Sequence, residues 1–460
     1  MRGSVRKRLW LVAGFAAAVA VALPGASQAE TLVQALSRAY EINPSLNAAR
    51  AEVRAIDEQV SQALAGFRPI ISAESQFGTT VTETNPDFGT DSTSSIASLG
   101  LSVDQNVFDG FRNVNSTKQA EATVRAARAS LANTEQNVLF DAAETFMNVL
   151  RDEAIVRLRQ QNIEVLSEQL RATQDRFSVG ELTRTDVAQA EARLAGARFD
   201  LSAAEAQLLT SRALYRQIIG ADPNNLVQGQ PVVHLLPNTI DQAIGIAIHE
   251  HPAIVSASFA EESAAFAVKV AEGSLLPELS LRGSVLAQTE PSANINNSIT
   301  ATIVGVLTIP IYQGGQEYSF VREAKQTRAV RRLEIDVARD EVRAAVLSAW
   351  GSLQSAFGSI AAANAQVEAA DIALEGVREE ARVGQRTTLD VLDAEQELLD
   401  ARVDLVIAER DKVVASYALL SSIGRLSAPG LGLAVREYVP ERNYEAVRDQ
   451  WFGLRTPSGD

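Results

Sequence analysis

Residues 176–205, RFSVGELTRTDVAQAEARLAGARFDLSAAE, recur as residues 380–409, EARVGQRTTLDVLDAEQELLDARVDLVIAE, with 14 of 30 positions identical. The offset of 204 residues that carries Gly180 onto Gly384 holds without a gap from Val107/Ile311 to Gly220/Gly424. Upstream, Asn43-Pro44 matches His251-Pro252 and Pro69 matches Pro277, at an offset of 208. The chain is one unit of about 200 residues written twice, and self-similarity on that scale constrains architecture before any local motif is read. The repeats divide it into a leader (1–29), a first copy (30–220), a linker (221–238), a second copy (239–424) and a tail (425–460).

Each copy opens with a short helical stretch, Leu32 to Glu41 and Ile240 to Glu250. An X-Pro step follows, with Asn43 or His251 suited to cap and Pro44 or Pro252 to take the first helical position. A second helix runs to about Gly66 or Gly273, and then the period changes. Leu279, Leu281, Gly283, Val285 and Ala287 alternate with Ser280, Arg282, Ser284, Leu286 and Gln288; Leu99, Leu101, Val103 and Val107 alternate with Ser98, Gly100, Ser102, Asp104 and Asn106. Period two with one apolar and one wet face predicts strands. The segments pair as hairpins at ~71–108 and ~279–312, each around a loop rich in Asn, Thr, Ser, Gly and Pro.

From Asn113 to about Val179 there is neither Gly nor Pro. At ~1.5 Å per residue this predicts a helix on the order of 100 Å long. Its counterpart, ~316–383, carries Gly351, Gly358 and Gly376 and is the more bendable. Gly180 and Gly384 then turn the chain into return helices ending near Gly220 and Gly424, which makes helical hairpins of ~113–220 and ~316–424. Helices this long need others beside them, and their Ala, Val and Leu spacing suits coiled-coil-like packing.

The first residues read as an export signal. Arg2, Arg6, Lys7 and Arg8 precede an apolar run from Leu9 to Leu23, and Ser27-Gln28-Ala29 forms a small-residue cleavage site. A retained anchor is the rival reading, but the run is short for a span and ends in Pro24-Gly25. There is no cysteine, which excludes disulfides, thiolate metal sites and an N-terminal lipid-modified cysteine. A net charge of −15 argues against nucleic acid as a partner. Four strands cannot close a barrel, and an open sheet with an apolar face aggregates. Several chains sharing one barrel, apolar outside and polar inside, resolve this in an outer membrane.

At this point the chain resembles the TolC family of outer-membrane channel-tunnel proteins, over essentially its whole length after the leader. The resemblance rests on the duplication, on Asn43 to Leu46, on the tips Val179-Gly180 and Val383-Gly384, and on Arg386-Thr387-Thr388-Leu389-Asp390-Val391-Leu392-Asp393-Ala394. It implies a mainly α fold with membrane β: a homotrimer with a twelve-stranded β-barrel, continued by a twelve-helix α-barrel across the periplasm. A small equatorial domain is implied too, for which 221–238 and the tail are the natural candidates. The missing N-terminal cysteine favours the TolC-like branch, which serves type I protein secretion and drug efflux. The implied partners are outer-membrane lipid, a periplasmic adaptor, and an inner-membrane transporter driven by ATP or by protons.

The family closes its periplasmic end with bonds between helix pairs and lines the constriction with aspartate rings. By motif, the ring positions here are Asp390 and Asp393, and the tethers are Arg386 with Thr185 and Asp186. A family tyrosine three residues before the tip glycine is replaced by Ala381. Val179, Gly180, Leu182, Val383 and Gly384 are the implied adaptor contacts. Thr183-x-x-Asp186 and Thr387-x-x-Asp390 also fit capping boxes, a purely structural use of both aspartates. Asp393 has no such use, since copy one has Gln189 there. In a trimer, Asp390 and Asp393 crowd six carboxylates about one axis, which attracts cations.

Enzyme chemistry finds no support. His249-x-His251 aligns with Glu41 and Asn43 and lacks further ligands, which makes capping or surface roles the better reading. No phosphate loop, nucleophile elbow or zinc-protease helix occurs, and no cofactor or metal is expected. Two readings without a channel compete: a periplasmic adaptor, or a structural coiled coil. Adaptors carry a lipoyl-like β-domain and usually one hairpin, and a coiled coil predicts no alternating strands.

Overall fold

The computed structural model describes residues 29–83, 92–292, 295–457 and 459; the export signal lies outside them. Thr31 caps α1 (Leu32–Ile42) in a capping box with Gln34. Asn43 ends α1 and starts α2 (Pro44–Ala65), its Oδ1 accepting from Ser45 N–H at 2.9 Å and Leu46 N–H at 3.2 Å. Strands β1 (Ile70–Thr82) and β2 (Ser92–Phe108) follow, then α3 (Arg112–Ser178) and its return α4 (Arg184–Ile219). The second copy repeats this as α5 (Ile240–Glu250), α6 (Pro252–Gly273), β3 (Glu278–Ser292), β4 (Ile295–Thr308), α7 (Gln316–Arg382) and α8 (Thr388–Ser422). A last short helix, α9 (Glu441–Val447), lies in the tail.

Both long helices have 67 residues, and the three glycines of α7 do not interrupt it. Four strand ends differ from the periodicity, with β3 and β4 running on to Ser292 and back to Ile295 in the stretch that reads as loop. β4 ends at Thr308, short of 312, because Pro310 has no N–H to continue a ladder. β2 starts at Ser92, inside the polar stretch that reads as loop, because Thr93 and Ser92 still pair with Val81 and Thr82.

The strands form one antiparallel meander in the order β1-β2-β3-β4. Its register puts Ile71, Val103, Gly283 and Ile303 in one row across the sheet, and Ser72, Ser102, Ser284 and Thr302 in the next. Rows alternate in face, so one face is apolar and the other polar. On the polar face Ser72 and Ser102 hydroxyls meet at 2.8 Å, and Arg282 donates to Asp104 at 2.5 Å. On the other, Phe77, Ile299 and Ile303 are each about four-fifths exposed within one chain. β1 and β4 are open edges.

At the junction of sheet and helices, Gly110 (φ 68°) and Gly273 approach so closely that a Cβ on Gly110 would stand 2.3 Å from the Gly273 carbonyl oxygen. Below it α2, α3, α6 and α7 pack side by side in that order; further down, α4, α3, α8 and α7 do so. The largest core lies between these two tiers. Leu36, Tyr40, Phe146, Tyr215, Val346 and Leu419 are fully or almost fully buried there. The linker and tail wrap this level: Val232 N–H donates to Ser416 Oγ (3.1 Å), and Ala428 N–H to Glu135 (2.9 Å).

Candidate functional site: the paired helical tips

Both hairpins turn on a left-handed glycine, Gly180 at φ 84° and Gly384 at φ 79°. Each accepts the conformation at no steric cost, and neither has a neighbour within 4 Å of a built Cβ. The turn closes with Glu181 N–H on Arg176 O at 3.0 Å and Gln385 N–H on Glu380 O at 2.9 Å. Val179 and Val383 project from the two turns, 72% and 71% exposed. Leu182 is half-buried, and Gly180, Gly384 and Thr185 are exposed.

The two aspartates with a structural use perform it. Thr183 N–H and Oγ1 donate to Asp186 at 2.8 and 2.7 Å, and Thr387 N–H and Oγ1 both donate to Asp390 at 2.8 Å. The Thr183 hydroxyl and amide hold the Asp186 carboxyl below the usual aspartate range. The Thr387 amide and hydroxyl do the same for Asp390. Asp390 is thus a fixed anion at the first turn of α8, on the side where the helix dipole favours one.

Arg386 turns back within its own hairpin: its Nε donates to Glu380 Oε2 at 2.8 Å, which pushes the guanidinium pKa up. Within one chain it is paired with neither Thr185 nor Asp186. Copy one makes the analogous bond with opposite polarity, Arg176 Nε to Glu181 Oε2 at 3.1 Å. Ala381, where the family tyrosine is absent, is half-buried in the last turn of α7.

Asp393 has a partner that motif reading missed. Arg193 of α4 donates to it and so joins the first hairpin to the second. Beside this ion pair, Leu392 is 2% exposed and packs with Leu166, Ala190, Leu194 and Ala197 of the first hairpin. A signal was present in the repeat alignment: Asp393 faces Gln189 and Arg193 faces Glu397, so both partners stand where the copies diverge. A second missed pair, Arg378 with the buried Glu395 at 3.1 Å, ties α7 to α8 two residues further along α8.

His251 caps α6, its Nδ1 accepting from Ala253 N–H at 3.2 Å. Among the described residues no group of His, Asp and Glu could hold a metal ion, and no helix is long and apolar enough to cross a membrane. The tips therefore offer fixed charge, apolar knobs and breakable links between hairpins.

Comparison with known proteins agrees with this arrangement. Residues 35–221 and 243–425 match the family "Outer membrane efflux protein", one match for each copy. The outer membrane efflux protein BepC of Brucella suis is 42% identical over 435 residues, 94% of each chain. The outer membrane protein TolC of Vibrio cholerae is 26% identical over 90% of this chain and 95% of its own. Among solved structures, the CmeC outer membrane channel of Campylobacter jejuni superposes with a TM-score of 0.78 at 17% identity, covering 91% of this chain and 89% of CmeC. These matches exclude the adaptor and the plain coiled coil. The chain belongs to the outer membrane efflux protein family: it is a passive outer-membrane channel with a large periplasmic helical extension, and not an enzyme.

Proposed function

We propose that three copies of this chain form the exit duct of a tripartite exporter, and that small toxic compounds are its principal cargo. The observation that carries the assembly is the sheet. Four strands with one apolar face, one polar face and two open edges need further strands, and identical chains supply them edge to edge. Three sheets make a twelve-stranded barrel with Ile303 and Phe77 toward lipid and Ser102 and Thr302 toward the lumen. The upper and lower tiers of four helices per chain continue it as a twelve-helix tunnel.

In this reading the tips close the periplasmic end. Asp390 and Asp393 ring the aperture, and Arg386 changes partner between subunits, from Glu380 to Thr185 and Asp186 of a neighbouring chain. An adaptor seats on Val179, Gly180, Leu182, Val383 and Gly384, and an inner-membrane transporter supplies the energy. Opening is a switch between two packed arrangements of the second hairpin against the first. The efflux assignment of BepC supports the choice of cargo. The test is deletion of the gene with accumulation of a fluorescent efflux dye as readout. Accumulation reversed by the intact gene supports the reading. Unchanged dye levels with loss of one secreted protein would assign the duct to type I secretion instead.

A further inference from the structure

The tail does not end at the equator. Tyr438 donates its N–H to Tyr40 Oη (3.1 Å) and its hydroxyl to Arg50 O (3.3 Å). Asn443 then donates to the buried Asp57 at 2.8 Å, and Glu441 pairs with Arg128 at 3.1 Å. Ser61 Oγ and Arg68 Nη1 reach Gln450 O at 3.3 and 2.8 Å. The contacts climb α2 from Arg50 to Ser61, roughly 17 Å of helix at ~1.5 Å per residue, and pass its end to Arg68, toward the sheet. On α3, which runs the other way, they pass from Arg128 to Glu121, whose carboxylate lies 3.8 Å from Arg448.

At the top of this climb Trp451 stacks under the Arg68 guanidinium, 4.8 Å from its ring centroid. Arg68 stands two residues before β1 begins at Ile70. There the docked strap leaves its apolar side chains uncovered: Trp451 is 65% exposed, Phe452 90% and Leu454 fully. Three residues beyond Arg68, Ile71 (65% exposed) begins the apolar face of the sheet, and the apolar residues of the strap lie on the helical side of the same junction. That side is periplasmic, so the adjoining leaflet is the phospholipid one.

We infer that Trp451, Phe452 and Leu454 form a membrane-interface anchor, carried along α2 and α3 to the periplasmic rim of the barrel, and that its partner is the phospholipid of the inner leaflet. An indole beside a guanidinium suits the headgroup level, where the ring is half in hydrocarbon and the cation meets phosphate. Arg68 and Arg455 flank the apolar residues for that purpose. The sequence carries no cysteine.

The same absence of cysteine permits the test. Phe452→Cys and Glu445→Cys are each labelled with a nitroxide in the full-length channel, reconstituted in phosphatidylethanolamine vesicles. Relaxation by dissolved oxygen is compared with relaxation by a water-soluble nickel complex. At 452 oxygen dominates several-fold and at 445, in the aqueous part of the strap, the nickel complex does. Equal nickel access at both positions would overturn the inference in favour of a free tail. Exclusion of both relaxants at 452, with dipolar broadening between labels, would overturn it in favour of a neighbouring subunit. Trp451 fluorescence, isolated by Trp350→Phe in protein that lacks Trp10 of the leader, gives an independent readout: lipids brominated near the headgroup quench it if the anchor is seated, and leave it unchanged if not.

Discussion

Arg193 of α4 donates to Asp393 of α8, and the bond lies beside Leu392 where that side chain is inserted into the first hairpin. It is the charged contact nearest the tips that joins the two copies of the repeat, and both partners are unique to their own copy. Any motion of the second hairpin away from the first must break it and withdraw Leu392.

Breaking it should loosen the closed tip. A half-exposed pair of this kind is worth about 0.2–1 kcal/mol, which corresponds to at most about a fivefold change in population per protomer. Arg193→Ser is expected to raise single-channel conductance events in planar bilayers, and Asp393→Ala to add nothing once Arg193 is gone. Additive effects would show that the two do not act as a pair. Arg386→Ser is expected to raise conductance independently of both.

The two aspartates should differ as aperture charges. Asp393 is paired with Arg193, whereas the Asp390 carboxylate is held mainly by its own helix start, with the Arg386 charge a smaller influence, and stays an anion. Asp390→Ala is expected to weaken block by multivalent cations more than Asp393→Ala does, as measured by titrating the blocker on single channels. The reverse order would remove Asp390 from the constriction.

The caps of the two copies should separate under mild acid. Asn43 caps α2 through an amide that does not titrate, but His251 caps α6 through a neutral imidazole. Burial lowers the His251 pKa from 6.5. A depressed histidine contributes stability that is complete above its unfolded pKa and is lost as pH falls through the folded one. Hydrogen exchange at Ala253–Val255 is therefore expected to accelerate below about pH 6.5 while Ser45 and Leu46 hold, with a cap worth ~1 kcal/mol at stake. His251→Asn should abolish the difference.

The faces of the sheet make opposite demands. Ile303→Arg places a cation in hydrocarbon near mid-strand and is expected to cost ~2–4 kcal/mol of barrel stability, whereas Ser102→Arg faces the lumen and costs little. Heat-induced mobility shifts of the unboiled oligomer on gels measure both.

Much of this was legible in the residues because their patterns are long. Period two over Leu99 to Val107 and over Leu279 to Ala287 leaves little choice but strand. A stretch without Gly or Pro from Asn113 to Val179 leaves little but helix. What escaped was decided by tertiary contact. Arg193 meets Asp393 across 200 residues, and no local spacing announces that. The tail has no periodicity of its own: α9 is seven residues long, and its course is set by Asp57, Arg128 and Arg68 on other helices.

The central claim is that β1 and β4 are completed by copies of the same chain. Native mass spectrometry of the detergent-solubilised channel tests it most directly. A single species of three chains is the predicted result. A monomer, or any stoichiometry other than three, would contradict the account.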